Sequence, residues 1–159
     1  MQREISYEWS PELVRLGARR FIARYAGPWL VGFTIIMLVA ILALAAGWEG
    51  HFWWVMIILP AIYAALWFRY YVRVVKICDE MPDRKVTVRI EPESITFQTS
   101  EHSSTMKWSR IKKLWRYPEV LLIFTYDQHT YSMLPAGPLG EEGRQFIEEK
   151  VREHGGQVS

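Results

Sequence analysis

The sequence predicts an α+β membrane protein in which a transmembrane helical hairpin precedes a small antiparallel β module. Two long apolar runs, Gly27–Ala46 and Phe52–Phe68, contain no Asp, Glu, Lys or Arg. At about 1.5 Å per residue, the first run spans the roughly 30 Å of bilayer hydrocarbon, and the second is near the lower limit of length. The rest of the chain is too short to bury two such helices in a soluble core. Short alternating runs after position 84 predict strands rather than further spans.

The N-terminal segment, residues 1–26, carries a predicted strand and a lead-in helix. Arg3–Trp9 alternates apolar and polar residues, which is typical of a strand, and its pairing with a C-terminal sheet stays open. Ser10-Pro11-Glu12 has the N-cap, the proline and the acidic residue that favour a helix start. The residues up to Tyr25 then predict an amphipathic helix in the membrane interface, with its arginines toward anionic headgroups. The alternative is a helix that continues into the first span with a kink at Gly27-Pro28.

Residues 27–76 form the predicted transmembrane hairpin, and the charges beside it predict its orientation. The connector at positions 47–51 has no Lys or Arg, whereas both flanks are basic. The positive-inside rule therefore places both termini in the cytoplasm. Because neither span contains Asp, Glu, Lys or Arg, transport through this hairpin alone is not expected. The basic residues of the two membrane flanks are Arg15, Arg19, Arg20, Arg24, Arg69, Arg73 and Lys76.

The C-terminal module, residues 84–159, is predicted to form a small antiparallel β structure. Valine and isoleucine alternate with polar residues from Val86 to Ile90, and Ile95 and Phe97 share one face of the next run. The apolar run Val120–Thr125 is typical of a central strand buried on both faces. The other predicted strands are Ser104–Trp108, Lys113–Tyr117 and His129–Leu134, the last one entered through a turn at Asp127-Gln128.

One helix should close this module. Pro135–Gly140 breaks the sheet, and Glu141–His154 has Phe146, Ile147 and Val151 on a face directed inward. Gly155-Gly156 predicts a frayed tail after the helix. A core this small is marginally stable alone, so support from the N-terminal strand or from the membrane would matter.

Short motifs of this module follow one another in a set order: a strand, a polar hairpin, a Trp-Ser-x-Ile step, a pair of strands and a Leu-Pro stop. They occupy Ile95, Phe97, Trp108, Ser109, Ile111, Leu122, Tyr131, Met133, Leu134 and Pro135. In this order, after two spans, they resemble the YcxB-like family of bacterial membrane proteins, and the resemblance covers nearly the whole chain. It implies a fold similar to small PH-like sheets on a membrane anchor, with no assigned activity. The family often has a basic residue and an aromatic after Leu-Pro, whereas Ala136-Gly137-Pro138 stands here.

The most suggestive stretch for binding is residues 107–117, where basic and aromatic residues alternate. Such a stretch can contact anionic headgroups, a partner protein or nucleic acid. The alternative is a strand and a turn whose aromatic rings fill the core while the cations are solvated. The candidate leaflet or partner surface consists of Lys107, Arg110, Lys112, Lys113, Trp115 and Arg116.

Catalytic and metal-binding patterns are not found in the sequence. The four histidines lie in separate segments, and Cys78 is the single cysteine, so no clustered metal ligands are expected. No HExxH, GxSxG or glycine-rich phosphate loop occurs. We therefore expect no enzyme activity and no cofactor. The formal net charge of +2 is too small to indicate a class of partner.

These observations favour a non-enzymatic bacterial inner-membrane protein whose cytosolic β module binds a protein partner or the anionic leaflet. Membrane lipid is one expected partner and nucleic acid is not, and homo-oligomerisation is left open. One alternative is an immunity protein that neutralises a membrane-acting bacterial toxin through its spans. Another is an accessory subunit of a transporter or sensor complex, in which small residues and Pro60 would face other helices.

Overall fold

Two compact units make up the chain in a computed structural model that describes residues 3–48, 50–80, 84–125 and 130–159. Val14–Glu80 forms one unit, and the described residues up to Leu13 join those from Arg84 onward to form the other, called here the β unit. The elements in chain order are β1 (Arg3–Glu8), α1 (Pro11–Tyr25), α2 (Gly27–Ala45), α3 (His51–Asp79), β2 (Lys85–Ile90), β3 (Ser94–Gln98), β4 (Ser103–Lys107), β5 (Lys113–Arg116), β6 (Val120–Phe124), β7 (Tyr131–Pro135), α4 (Ala136–Glu153) and β8 (Gln157–Val158).

Helices α2 and α3 are long and apolar enough to cross a membrane, as the sequence predicts. The segments that meet this condition are Gly27–Ala45 and Trp53–Ile77, with mean hydropathies of 2.4 and 1.6. In each, only 6% of the most apolar window is buried. Leu42 and Phe68, for example, are 68% and 69% exposed. These helices therefore expose apolar side chains along their length, unlike the core helices of a soluble domain.

Helix α1 begins as the sequence predicts and runs almost without interruption into α2. The backbone N–H of Leu13 donates to the Ser10 hydroxyl at 3.1 Å, which makes Ser10 the N-cap, and Pro11 is the first helical residue. Ala26 alone separates the two helices, and helical hydrogen bonds continue on both sides of it. The structure thus favours the alternative of a continued helix, interrupted where Pro28 cannot donate a backbone hydrogen bond.

The first sheet has the strand order β1-β2-β3-β4, and every pair in it is antiparallel. The N-terminal strand therefore joins the C-terminal module, pairing along its full length with β2 from Arg3↔Ile90 to Glu8↔Lys85. The residues between these two strands include both apolar helices. The helix pair is thus an insertion between two neighbouring strands of one sheet.

The second sheet has the order β7-β6-β5-β8, so the predicted β module consists of two four-stranded sheets. All five residues of β6 are buried, which confirms a central strand covered on both faces. The predicted frayed tail is wrong, because Gln157–Val158 pairs in parallel with β5. The predicted turn Asp127-Gln128 and residue His129 lie outside the described part of the chain.

The core of the β unit lies between the two sheets and beneath α4. The first sheet contributes Ile5, Val88 and Ile95, for example, and α4 contributes Ile147 and Val151. Gly140 divides α4, since its φ of 66° and ψ of 175° suit glycine almost alone. Regular helix therefore follows Gly140, close to the predicted start.

Candidate functional site

The candidate surface within residues 107–117 crosses from the first sheet to the second. Lys107 ends β4, Arg110 lies in a short 3-10 turn, and Lys113 and Arg116 lie in β5. Lys113 is half-buried, and the remaining cations are exposed: Lys107, Arg110, Lys112 and Arg116. The charges are therefore solvated, as the alternative interpretation of this stretch predicts.

The two tryptophans of the stretch are buried, and this corrects the predicted surface. Trp108 has no exposed area, and its indole N–H donates to the backbone oxygen of Glu91 at 3.0 Å. Trp115 is 5% exposed, and its ring centroid lies 4.6 Å from that of Phe124. Trp115 is thus removed from the candidate contact residues, because almost none of its ring reaches solvent.

The two cations of β5 point to opposite sides of the second sheet. Lys113 Nζ lies 5.4 Å from the centroid of the Trp115 ring, whereas Arg116 Nη1 lies 3.3 Å from both carboxylate oxygens of Glu148 on α4. This follows from strand geometry, since residues three apart in a strand face opposite ways. The predicted surface is therefore divided, and Lys107 and Arg110 form its part beside β4.

Glu148 is a buried charged residue that the sequence analysis did not identify. It is 7% exposed, and its carboxylate accepts a further hydrogen bond, from Arg152 at 3.3 Å. Both arginine side chains remain about 60% exposed. The neighbouring cavity, about 320 Å³, is lined by Arg116, Tyr117, Pro118, Glu141, Arg144 and Glu148. The cluster holds α4 against β5, and no local pattern could reveal it because Arg116 and Glu148 are 32 positions apart.

Tyr7 connects the two sheets of the β unit. Its hydroxyl donates to the backbone oxygen of Met133 at 3.0 Å and accepts from the indole N–H of Trp9 at 3.3 Å. Burial raises the pKa of Tyr7 to about 12, because the ionised phenolate would lose its hydration, while the Trp9 hydrogen bond acts in the opposite direction. Tyr7 is therefore a neutral structural donor near neutral pH.

An apolar cleft of about 210 Å³ lies beside Tyr7, at the end of the β unit where β1 ends and β2 begins. Its lining residues are Trp9, Val86, Phe97, Thr99, Tyr131, Ser132 and Met133. The cleft is below the usual size of a small-molecule site. It suits at most a single apolar group.

The seven basic flank residues lie on α1 and α3, and an aromatic seam joins these two helices. The seam consists of Phe21 and Tyr25 on α1 with Trp67 and Tyr70 on α3. Ring centroids of Phe21 and Tyr70 are 5.9 Å apart, and those of Tyr25 and Trp67 are 5.7 Å apart. Of the flank residues, Arg20 is half-buried, and the others are exposed: Arg15, Arg19, Arg24, Arg69, Arg73 and Lys76. Two basic segments that are far apart in sequence thus belong to one packed region.

Within the described ranges, no three His, Cys, Asp or Glu side chains lie close enough to hold a metal ion. No protein-family model matches this chain. Comparisons with curated proteins and with solved structures find no significant match either. The resemblance to the YcxB-like family therefore stays a prediction.

Proposed function

We propose that the chain is a non-enzymatic protein of the bacterial inner membrane, anchored by α2 and α3, whose cytosolic β unit binds a protein partner or the anionic leaflet. The observation that carries this proposal is the pairing of β1 with β2 on either side of the helix pair. Glu8 and Lys85 are cross-strand partners, so the chain leaves the sheet and returns to it at one place. A single membrane crossing would separate the two strands, whereas two crossings keep them together.

The exposed apolar surface of α2 and α3 supports a bilayer location. Nothing but hydrocarbon or other apolar helices would stabilise side chains such as Leu42 and Phe68, which remain largely exposed. The absence of Lys and Arg from the connector at 47–51, set against the seven basic flank residues, supports cytoplasmic termini.

Two packed sheets with a C-terminal helix agree with the PH-like module that the family resemblance implies. Several positions that carry the resemblance, such as Ile95, Trp108, Ile111 and Leu134, have no exposed area. These residues specify the fold rather than an activity. For the binding role, the divided surface leaves Lys107 and Arg110 as the cations beside β4 that a leaflet or an acidic partner would contact.

Cysteine labelling tests the anchoring part of the proposal. In a Cys78→Ser background, Gly50→Cys marks the connector and Glu101→Cys marks the β unit. A membrane-impermeant maleimide added to intact spheroplasts should label Gly50→Cys, and should label Glu101→Cys only after the membrane is opened. Labelling of Glu101→Cys in intact spheroplasts, or recovery of the protein outside the membrane fraction, would overturn the anchoring.

Affinity capture from native membranes through a C-terminal tag tests the binding part. A stoichiometric partner, or selective binding to anionic vesicles, should be weakened in Lys107→Gln/Arg110→Gln and kept in the matched variant Arg15→Gln/Arg19→Gln. If the two variants bind the partner or the vesicles equally well, Lys107 and Arg110 do not form the binding surface, and this part of the proposal is refuted.

A further inference from the structure

We propose that Arg20, Arg24, Arg69 and Arg73 form one binding site, the arginine flank, for phosphate groups of an anionic phospholipid. The inference rests on the proposed function, because it requires α2 and α3 to span a membrane. It adds a ligand class and the residues that bind it. All four residues belong to the unit Val14–Glu80.

The aromatic seam shows that α1 and α3 run antiparallel. Phe21 contacts both Trp67 and Tyr70, with ring centroids 6.2 and 5.9 Å apart. Tyr25, one turn further along α1, lies 5.7 Å from Trp67. A step forward along α1 therefore corresponds to a step backward along α3.

Helix geometry then places the four arginines on one side of the seam. Arg20 and Arg24 directly precede Phe21 and Tyr25, and Arg69 directly precedes Tyr70. A residue lies about 100° around the helix from the next one, because a turn takes about 3.6 residues. In two antiparallel helices that face each other, the residues preceding the facing positions project to the same side. Arg73 lies one turn after Arg69 and shares its face.

The other basic flank residues do not belong to this group. Arg15 and Arg19 come out on the opposite side of α1 by the same geometry. Lys76 shares the face of Arg69 but lies seven residues further along α3, about 10 Å farther from the apolar run. Arg15 and Arg19 on α1 therefore provide an internal control of equal charge outside the arginine flank.

The position of the arginine flank along the helices suits a lipid headgroup. Arg24 lies three residues before the first apolar run, and Arg69 directly follows the second run at Phe68. At about 1.5 Å per residue, the two arginines of each helix are about 6 Å apart along its axis, within reach of a single headgroup. Guanidinium groups bind phosphate oxygens through paired hydrogen bonds, and basic pockets between membrane helices bind anionic headgroups.

Native mass spectrometry of the full chain in mild detergent tests the site, with cardiolipin, phosphatidylglycerol and phosphatidylcholine as probes. The wild type should retain the two anionic lipids in preference to phosphatidylcholine. One basic residue at an anionic surface contributes about 1 kcal/mol, which is about fivefold in affinity. Arg69→Gln/Arg73→Gln removes two such residues and should therefore weaken anionic lipid binding about 30-fold. Arg15→Gln/Arg19→Gln removes the same charge and should weaken it less than about threefold.

Equal losses of anionic lipid binding in the two double variants would overturn the site, because they would indicate that the lipid is attracted by the total charge of the protein. A wild type without preference for anionic lipid would also overturn it. Inorganic phosphate should not displace the lipid, since a free anion lacks the acyl chains, and displacement would contradict a lipid ligand. Membrane fractionation separates the two proposals: a protein that stays in membranes without lipid preference refutes only the arginine flank.

Discussion

Replacement of Tyr7 by phenylalanine should destabilise the β unit because the phenol links its two sheets. The hydroxyl is bound to the Met133 carbonyl and the Trp9 indole, and Tyr7 is 8% exposed. Tyr7→Phe leaves a buried carbonyl oxygen and an indole N–H without this partner. Such a loss costs about 1–3 kcal/mol in the free energy of unfolding near neutral pH.

The same substitution should change the response to alkaline pH. Burial raises the pKa of Tyr7 from 10.0 to about 12, so the unfolded chain releases this proton first as pH rises. Stability from this group is fully present below pH 10 and declines through the window from pH 10 to 12. Two pKa units correspond to about 2.7 kcal/mol. Between pH 10 and 12 the wild type therefore loses this contribution to its free energy of unfolding, whereas Tyr7→Phe, which has no phenol at this position, does not.

Chemical denaturation of the full chain in mild detergent, followed by tryptophan fluorescence at pH 8 and pH 12, measures both effects. The stability difference between wild type and Tyr7→Phe should shrink toward zero at pH 12. Tyr117→Phe, which keeps Tyr7, should retain the alkaline loss. Parallel pH dependences of wild type and Tyr7→Phe would refute the structural role assigned to the buried phenol.

Two further substitutions probe α4 and its C-terminal end. Glu148→Ala should lower the free energy of unfolding by about 1 kcal/mol, a small value because the two arginines that Glu148 binds remain largely exposed. Glu149→Ala removes an exposed carboxylate of the same helix and should have little effect in the same denaturation assay. If the losses of stability in Glu148→Ala and Arg116→Ala simply add in the double variant, the direct interaction would be contradicted. Gly156→Ala should cost more than about 1 kcal/mol, because its Cβ would lie 2.5 Å from a Val151 methyl carbon. An unchanged unfolding midpoint in Gly156→Ala would show that β8 is not held as described.

Local periodicity was sufficient to predict most elements of the β unit. The alternation of Val86, Val88 and Ile90 is matched by β2, where all three are buried, and the apolar run of β6 is buried throughout. Ser10 caps α1 as its sequence context predicts. The division into two sheets and the short strand β8 could not be predicted. They depend on pairings between distant segments, for which a single sequence gives no register.

The candidate site was predictable only in part, for the same reason. Basic residues could be found from composition, but the burial of Trp115 and Glu148 depends on residues that approach in the fold. The split between Lys113 and Arg116 follows from strand geometry once β5 is assigned. The spacing of Phe21 and Tyr25 on α1, and of Trp67 and Tyr70 on α3, indicates an aromatic face on each helix. No local pattern shows that these two faces meet.

The central claim is that the apolar helix pair is inserted between two hydrogen-bonded strands. It is tested most directly by a disulfide between β1 and β2 in native membranes, formed in a Cys78→Ser background. Ser6 and Thr87 are register partners whose hydroxyl oxygens lie 3.1 Å apart. Ser6→Cys/Thr87→Cys should form an intramolecular crosslink efficiently, and Ser6→Cys/Arg89→Cys, one pair out of register, should form little. Absence of the first crosslink, or its appearance only between two chains, would contradict the insertion and the two-crossing anchor inferred from it.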